Sequence, residues 1–145
     1  MLDSYLAKFQ KDGGGLLVSF PDVPEAITGG ANRDEALANA QEALELALLT
    51  YAGDGRPIPS ASKRSTAPGQ TVWVPVPAAI AAKIAFIVAF RESGLTRVAL
   101  AKKMGKAETE IRRMLDPYHQ TKLPAIEAGL GALGKRLIVS VAEAA

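Results

Sequence analysis

The stretch Leu95–Leu115, LTRVALAKKMGKAETEIRRML, decides the fold of the C-terminal half. Two short helices that cross closely need a small residue inside the first, and Ala101 supplies it. The turn between them needs a residue that accepts a left-handed backbone, and Gly105 follows Ala101 by four positions. The second helix needs an apolar anchor at the crossing, and Ile111 stands ten positions after Ala101. Leu100, Met104 and Leu115 complete an apolar seam. With Ile111 and Leu115 turned inward, Glu108, Thr109, Arg112 and Arg113 are turned outward. The pattern is that of a helix-turn-helix.

Such a motif presents the N-terminal residues of its second helix to base edges in the major groove of DNA. Glu108, Thr109, Arg112 and Arg113 are the expected readers. Either arginine can bridge a guanine, and Thr109 can meet a thymine methyl or a phosphate. Thr96, Lys102, Lys103 and Lys106 are expected to hold phosphates and set the register. An ordinary three-helix packing unit with a solvated basic face is the plainer reading of the same residues. Small residue, glycine and anchor falling in register on a basic surface favour DNA. A single motif touches few base pairs, so a homodimer or higher homo-oligomer on two-fold operator DNA is expected. The candidate contact surfaces are the apolar helix Ala78–Phe90 and the tail Leu137–Val141, which reads as a closing strand.

Upstream, Ala78–Ser93 is helical and apolar on nearly every side, through Ile80, Ile84, Phe86, Ile87, Val88 and Phe90, the mark of a helix buried all round. Gly94 ends it, and Thr96 caps the next helix, which runs to Met104. Glu108–Leu115 stops before Pro117, and a further helix covers Pro124–Leu133, weakened by Gly129 and Gly131.

The N-terminal half is patterned differently. Ser4–Gln10 alternates Tyr5, Ala7 and Phe9 against Leu6, Lys8 and Gln10, the period of a strand. Asp12 and the glycines up to Gly15 signal a turn, so Leu16–Phe20 returns as the second strand of a hairpin. Ala26–Thr28 is a short third strand before Gly29–Gly30. Asn32 is a helix N-cap with Glu35 at the capping-box position, and Asp34 and Glu35 suit the positive end of the helix dipole. Leu37, Ala40, Leu44, Ala47, Leu48 and Tyr51 then form one apolar face of a long helix ending near Gly53. Gly53–Gln70, rich in Gly, Pro, Ser and Thr, is irregular. Thr71–Val76 is a strand that Pro75 places at an edge, expected to rejoin the N-terminal sheet, and Pro77 suits the first turn of the next helix. The fold class is α+β: an α/β domain over residues 1–77 and an all-α helix-turn-helix domain over residues 78–145 that carries DNA binding and dimerisation.

Composition narrows the functions. Apolar residues make up 48% of the 145, enough for a core. Without cysteine, and with His119 as the single histidine, disulfide scaffolds, thiolate metal sites and multi-histidine sites are excluded, and a reducing compartment is expected. The sequence shows neither a signal peptide nor an apolar run long enough to span a bilayer, so a soluble cytoplasmic protein without a membrane partner is expected. The net charge of +2 hides a split: residues 1–55 hold 3 basic and 9 acidic side chains, and residues 78–145 hold 11 basic and 6 acidic ones. A basic half suits phosphates, and an acidic half suits a basic protein.

The chain resembles the HicB-type antitoxins in the variant with a C-terminal helix-turn-helix. The residues that carry the likeness are FPDVPEA at Phe20–Ala26, TGG at Thr28–Gly30, RDEALANAQEAL at Arg33–Leu44, RPIPS at Arg56–Ser60, VWVPVP at Val72–Pro77, LDPYHQTKL at Leu115–Leu123 and LGKRL at Leu133–Leu137. The helix-turn-helix itself resembles those of phage repressors, except that Ala107 stands where a Ser or Thr N-cap is usual. The resemblance implies a partial ribonuclease-H-like N-terminal domain, a small sheet with one long helix. It also implies a HicA-type mRNA interferase toxin as partner, neutralised by direct binding, and repression of the chain's own operon. Glu25 follows Pro24 where the family commonly has glycine. Asp22, Glu25 and Asp34 are the candidate toxin contacts, although a turn or capping role suits each of them better.

Two other functions compete. A stand-alone transcriptional regulator would sense a small ligand in a concave apolar pocket of its N-terminal domain. A ribonuclease-H-related enzyme would need carboxylates converging on two metal ions, and Asp12 and Asp22 do not make such a set. No catalytic residue, metal site or cofactor is assigned. His119 reads as a loop hydrogen-bonder and Trp73 as sheet packing or an interface anchor.

Overall fold

The alternating N-terminal residues form a hairpin in the computed structural model, which describes residues 2–62 and 70–144. Strand β1 (Ser4–Asp12) turns through Gly13, at φ +60°, into β2 (Gly15–Ser19), with Phe9 opposite Val18. Strand β3 (Ile27–Gly30) pairs with β2, and β4 (Gln70–Pro75) pairs with β1, placing Tyr5 opposite Val74. All pairs are antiparallel, in the order β3-β2-β1-β4. Pro75 therefore lies on an edge strand, where its missing N–H costs no ladder bond.

Gly29 and Gly30 lie inside β3 rather than after it. A Cβ on Gly30 would stand 2.5 Å from the Ala36 backbone nitrogen, and one on Gly29 would stand 2.6 Å from the Leu16 carbonyl oxygen. Gly30 thus lets helix α1 (Arg33–Gly53) start directly against β3, and Gly29 lets β3 lie close against β2. Asn32 caps α1 by accepting from the Glu35 N–H at 2.9 Å, and the Asn39 amide donates to the Gly29 carbonyl at 2.8 Å. Ala36, Ala40, Leu44, Ala47, Leu48 and Tyr51 are buried, while Leu37 is half-buried. They meet a core that includes Tyr5, Phe9, Val18, Phe20 and Val23. Residues 54–62 are irregular and are tied down by the Tyr5 hydroxyl, which donates to the Pro59 carbonyl at 2.6 Å. The rest of the irregular segment, residues 63–69, lies outside the described residues.

The chain divides into two units, Met1–Ala81 and Ala82–Ala145, and the division falls within helix α2 (Ala78–Ser93). Pro77 stands just before α2, its carbonyl accepting from the Ile80 and Ala81 N–H groups. It is thus the capping position, not the first turn. The second unit continues with α3 (Arg97–Met104), α4 (Glu108–Leu115) and α5 (Leu123–Ala132). Its core gathers Phe86, Leu100, Ala101, Ile111, Met114, Ile126 and Leu130. Met114 takes the buried place expected for Leu115, which, like Met104, is half-buried at the edge of this core. α5 packs so tightly that a Cβ on Gly129 would stand 2.5 Å from the Phe86 ring.

Two further expectations are corrected. α2 is not buried all round, since Ile80, Val88 and Phe90 are half-exposed, and its buried face includes the charged Lys83. Leu137–Val141 forms no strand. The second unit otherwise contains only helices, so the tail has no neighbouring strand of its own unit to pair with, and Ile138, Val139 and Val141 stay exposed.

Candidate functional site

The sequence-derived contact residues of the second unit gather on α3, the turn and α4. Thr96 Oγ1 caps α3 by accepting from the Ala99 N–H at 3.1 Å. Gly105 adopts φ +64°, and Ala101 sits 5% exposed where α3 packs in the core. Ala107 precedes α4 in an extended conformation and makes no side-chain cap. Ile111 and Met114 hold the inner face of α4. Thr109, Arg112 and Arg113 point to solvent, as do Thr96 and Lys102, whereas Glu108 and Lys106 are half-buried.

Three of the expected contact residues, Glu108, Arg112 and Lys106, already have partners. Glu108 pairs with Arg97 at 3.4 Å and with Arg112 at 3.2 Å, and Lys106 pairs with Glu110 at 3.4 Å. Exposed pairs of this i,i+4 kind contribute only about 0.3–0.5 kcal/mol, while a bidentate arginine–guanine contact discriminates by about 1–3 kcal/mol. Glu108 therefore holds Arg112 only weakly. Lys103 is engaged elsewhere: its ammonium donates to the Ala132 carbonyl at the end of α5, at 3.2 Å.

The sequence reading missed Lys83. This side chain is 4% exposed, and its ammonium donates to the Met114 carbonyl at 2.7 Å and to Thr121 Oγ1 at 2.6 Å. Burial pulls its pKa down to about 8, against the opposing charge of Asp116. A lysine inside an apolar helix was the available signal, but nothing in the sequence pointed to its carbonyl partners at the end of α4.

In the first unit, the candidate acidic residues have intramolecular roles. Asp22 accepts from the Ser62 N–H at 2.8 Å and from the Ser62 hydroxyl at 2.7 Å. Glu25 accepts from the Tyr51 hydroxyl at 2.6 Å and from Arg56 at 2.7 Å, and the Arg56 guanidinium lies 3.9 Å over the Tyr51 ring. The Tyr51 hydrogen bond, then Arg56, holds the Glu25 carboxyl below its ordinary value. Two motifs of the sequence, Phe20–Ala26 and Arg56–Ser60, are thus each other's partners. Asp34 is exposed in the first turn of α1. Beside Glu25, an open hollow of about 270 Å³ is lined by Ile27, Ala43, Leu46 and Ala47. Among the described residues, no group of three or more Asp, Glu or His is placed to hold a metal ion. His119 and Trp73 are exposed.

A family model described as the HicB-like antitoxin of bacterial toxin–antitoxin systems matches residues 4–85. The chain belongs to the HicB-like antitoxin family. Among its relatives, Antitoxin HicB 2 of Photorhabdus laumondii is 42% identical over 133 residues, covering 92% of each chain. Antitoxin HicB of Escherichia coli is 37% identical over 86% of this chain and 88% of its own, and Antitoxin HicB of Pseudomonas fluorescens is 30% identical over 94% and 92%. The matched family region covers the sheet, α1 and the start of α2, and the relatives extend across the second unit as well. No helix among the described residues is long and apolar enough to cross a membrane.

Proposed function

We propose that this HicB-like antitoxin neutralises a HicA-type mRNA interferase by binding it through the first unit, and represses its own operon by binding operator DNA through the second. The observation that carries the DNA half is the exposed arginine pair of α4: Arg112 and Arg113 face solvent while Ile111 and Met114 anchor the helix from behind. Gly105 supplies the left-handed turn, and Lys102, Lys106 and Thr96 flank the groove-facing helix in positions suited to phosphates. In this reading α3, the turn and α4 are a helix-turn-helix, and the sheet with α1 is a partial ribonuclease-H-like domain.

The toxin half rests on the family and on charge. Residues 1–55 carry 3 basic against 9 acidic side chains, complementary to the basic surface that an RNA-cleaving protein needs. The relatives are named as antitoxins, and the reading assigns no catalysis and no cofactor. Two-fold operator binding calls for a homodimer. α2 buries Ala82, Ile84, Phe86, Ile87 and Ala89 within a single chain, so the exposed tail Ile138–Val141 is the better dimer surface. The hollow beside Glu25, open and about 270 Å³, lies below the usual 300–1,000 Å³ of small-molecule sites and adds no support to a small-ligand sensor.

The test is growth rescue. Co-expression of the full chain with its HicA-type toxin should restore growth, and the same protein should shift DNA from its own promoter. Growth arrest despite soluble, folded protein would refute the antitoxin half, and an unshifted promoter would refute the repressor half.

A further inference from the structure

The most exposed apolar pair of the first unit's sheet and long helix stands on one side of it. Ile27 at the start of β3 is 63% exposed, and Leu46 on α1 is 59% exposed. Both line the hollow whose floor is formed by Ala43 and Ala47. Glu25, Tyr51 and Arg56 close one end of it, locked together by two hydrogen bonds and the stacked guanidinium. The small side chains of Ala43 and Ala47 are what leave the hollow open, and the locked triad makes that end rigid.

The surrounding charge selects the occupant. Glu25 is already paired with Arg56, but Glu42 stands exposed one helical turn before Leu46 and on the same face. Glu35 lies two turns further back along that stripe, again exposed. With Glu25 neutralised by Arg56, the net charge beside the hollow is that of exposed Glu42, which suits an apolar side chain with a cation next to it. Its volume admits a protein side chain rather than a cofactor.

We infer that the Ile27–Leu46 hollow is the docking point of the basic toxin, taking an apolar toxin side chain between β3 and α1 while Glu42 pairs with a neighbouring toxin cation. This rests on the proposed antitoxin function and assigns it a place. It leaves Asp22, which is engaged with Ser62, outside the contact and gives Glu25, locked to Tyr51 and Arg56, the role of a rigid wall.

The experiment titrates the full chain against its HicA-type toxin, used in a catalytically inactive form, in wild-type, Leu46→Lys and Glu42→Lys versions. Promoter DNA binding is measured on the same samples. Leu46→Lys should lose toxin affinity by roughly 30-fold or more, as truncation of a central anchor does. Glu42→Lys, an exposed charge that the fold does not use, should lose several-fold and should flatten the salt dependence. Promoter binding should be unchanged in both. Wild-type toxin affinity in both variants would overturn the docking point and leave the antitoxin reading standing. Failure of the wild-type chain to bind the toxin would overturn both.

Discussion

The ammonium of Lys83 lies 2.7 Å from the carbonyl oxygen of Met114, so a buried lysine on α2 closes the open end of α4. A helix leaves its last four carbonyls without intrahelical partners. Here the Asp116 N–H takes those of Arg112 and Arg113, and Lys83 takes that of Met114 while also donating to Thr121. One side chain thereby ties α2, the end of α4 and the segment before α5. The helix carrying Arg112 and Arg113 is thus held at its C-terminal end.

This lysine gives stability a particular pH dependence. Its folded pKa is about 8, below the ordinary 10.5. Between those values the unfolded chain binds a proton that the folded protein does not, so the Lys83 contribution to stability rises with pH through that window. Below about pH 8 the burial penalty on the charge is fully present. Denaturant unfolding of wild type and Lys83→Met from pH 7 to 10 should show wild type gaining on the variant as pH rises. Parallel curves would show that Lys83 does not titrate in this way.

Ala107 offers the opposite kind of change, a gain. It sits at the N-cap of α4 with φ −69° and ψ 149°, the extended backbone of a capping residue, but has no oxygen to accept an N–H. Ala107→Ser should stabilise the second unit by about 1 kcal/mol, a rise of roughly 4–8 °C in the midpoint of a unit of that size. Calorimetry checks it; a midpoint that does not move would mean that water already serves the α4 N–H groups as well.

The tail carries the dimer prediction. Val139 is 73% exposed and Val141 96% exposed in the single chain. Val139→Asp should leave the fold intact, convert a dimer to monomer in sedimentation, and weaken promoter binding by an order of magnitude or more, because two half-sites would no longer be linked. A variant that remains dimeric would place the interface elsewhere.

Much of this was legible in the sequence, for identifiable reasons. The β1–β2 hairpin, the Asn32 cap, the Thr96 cap and the Gly105 turn are local devices, fixed by residues within a few positions of one another. What was not legible depends on distant neighbours. Met114 rather than Leu115 is buried because α5 approaches from one side, with Gly129 against Phe86 and Met114. Lys83 could be seen interrupting an apolar helix, but its carbonyl partners lie about thirty positions away. The tail has the composition of a strand, yet a strand also requires a partner, and composition cannot provide one. The partners that give Asp22 and Glu25 their intramolecular roles, Ser62 and Arg56, stand 40 and 31 positions along the chain, beyond the reach of a local pattern.

The claim that two separate surfaces serve two partners is tested most directly by titrating promoter DNA and toxin with Arg112→Ala and Arg113→Ala in the full chain. At least one substitution should weaken promoter binding by about 1–3 kcal/mol, roughly 5- to 150-fold, with toxin affinity unchanged. Promoter affinity equal to wild type in both variants would contradict the account.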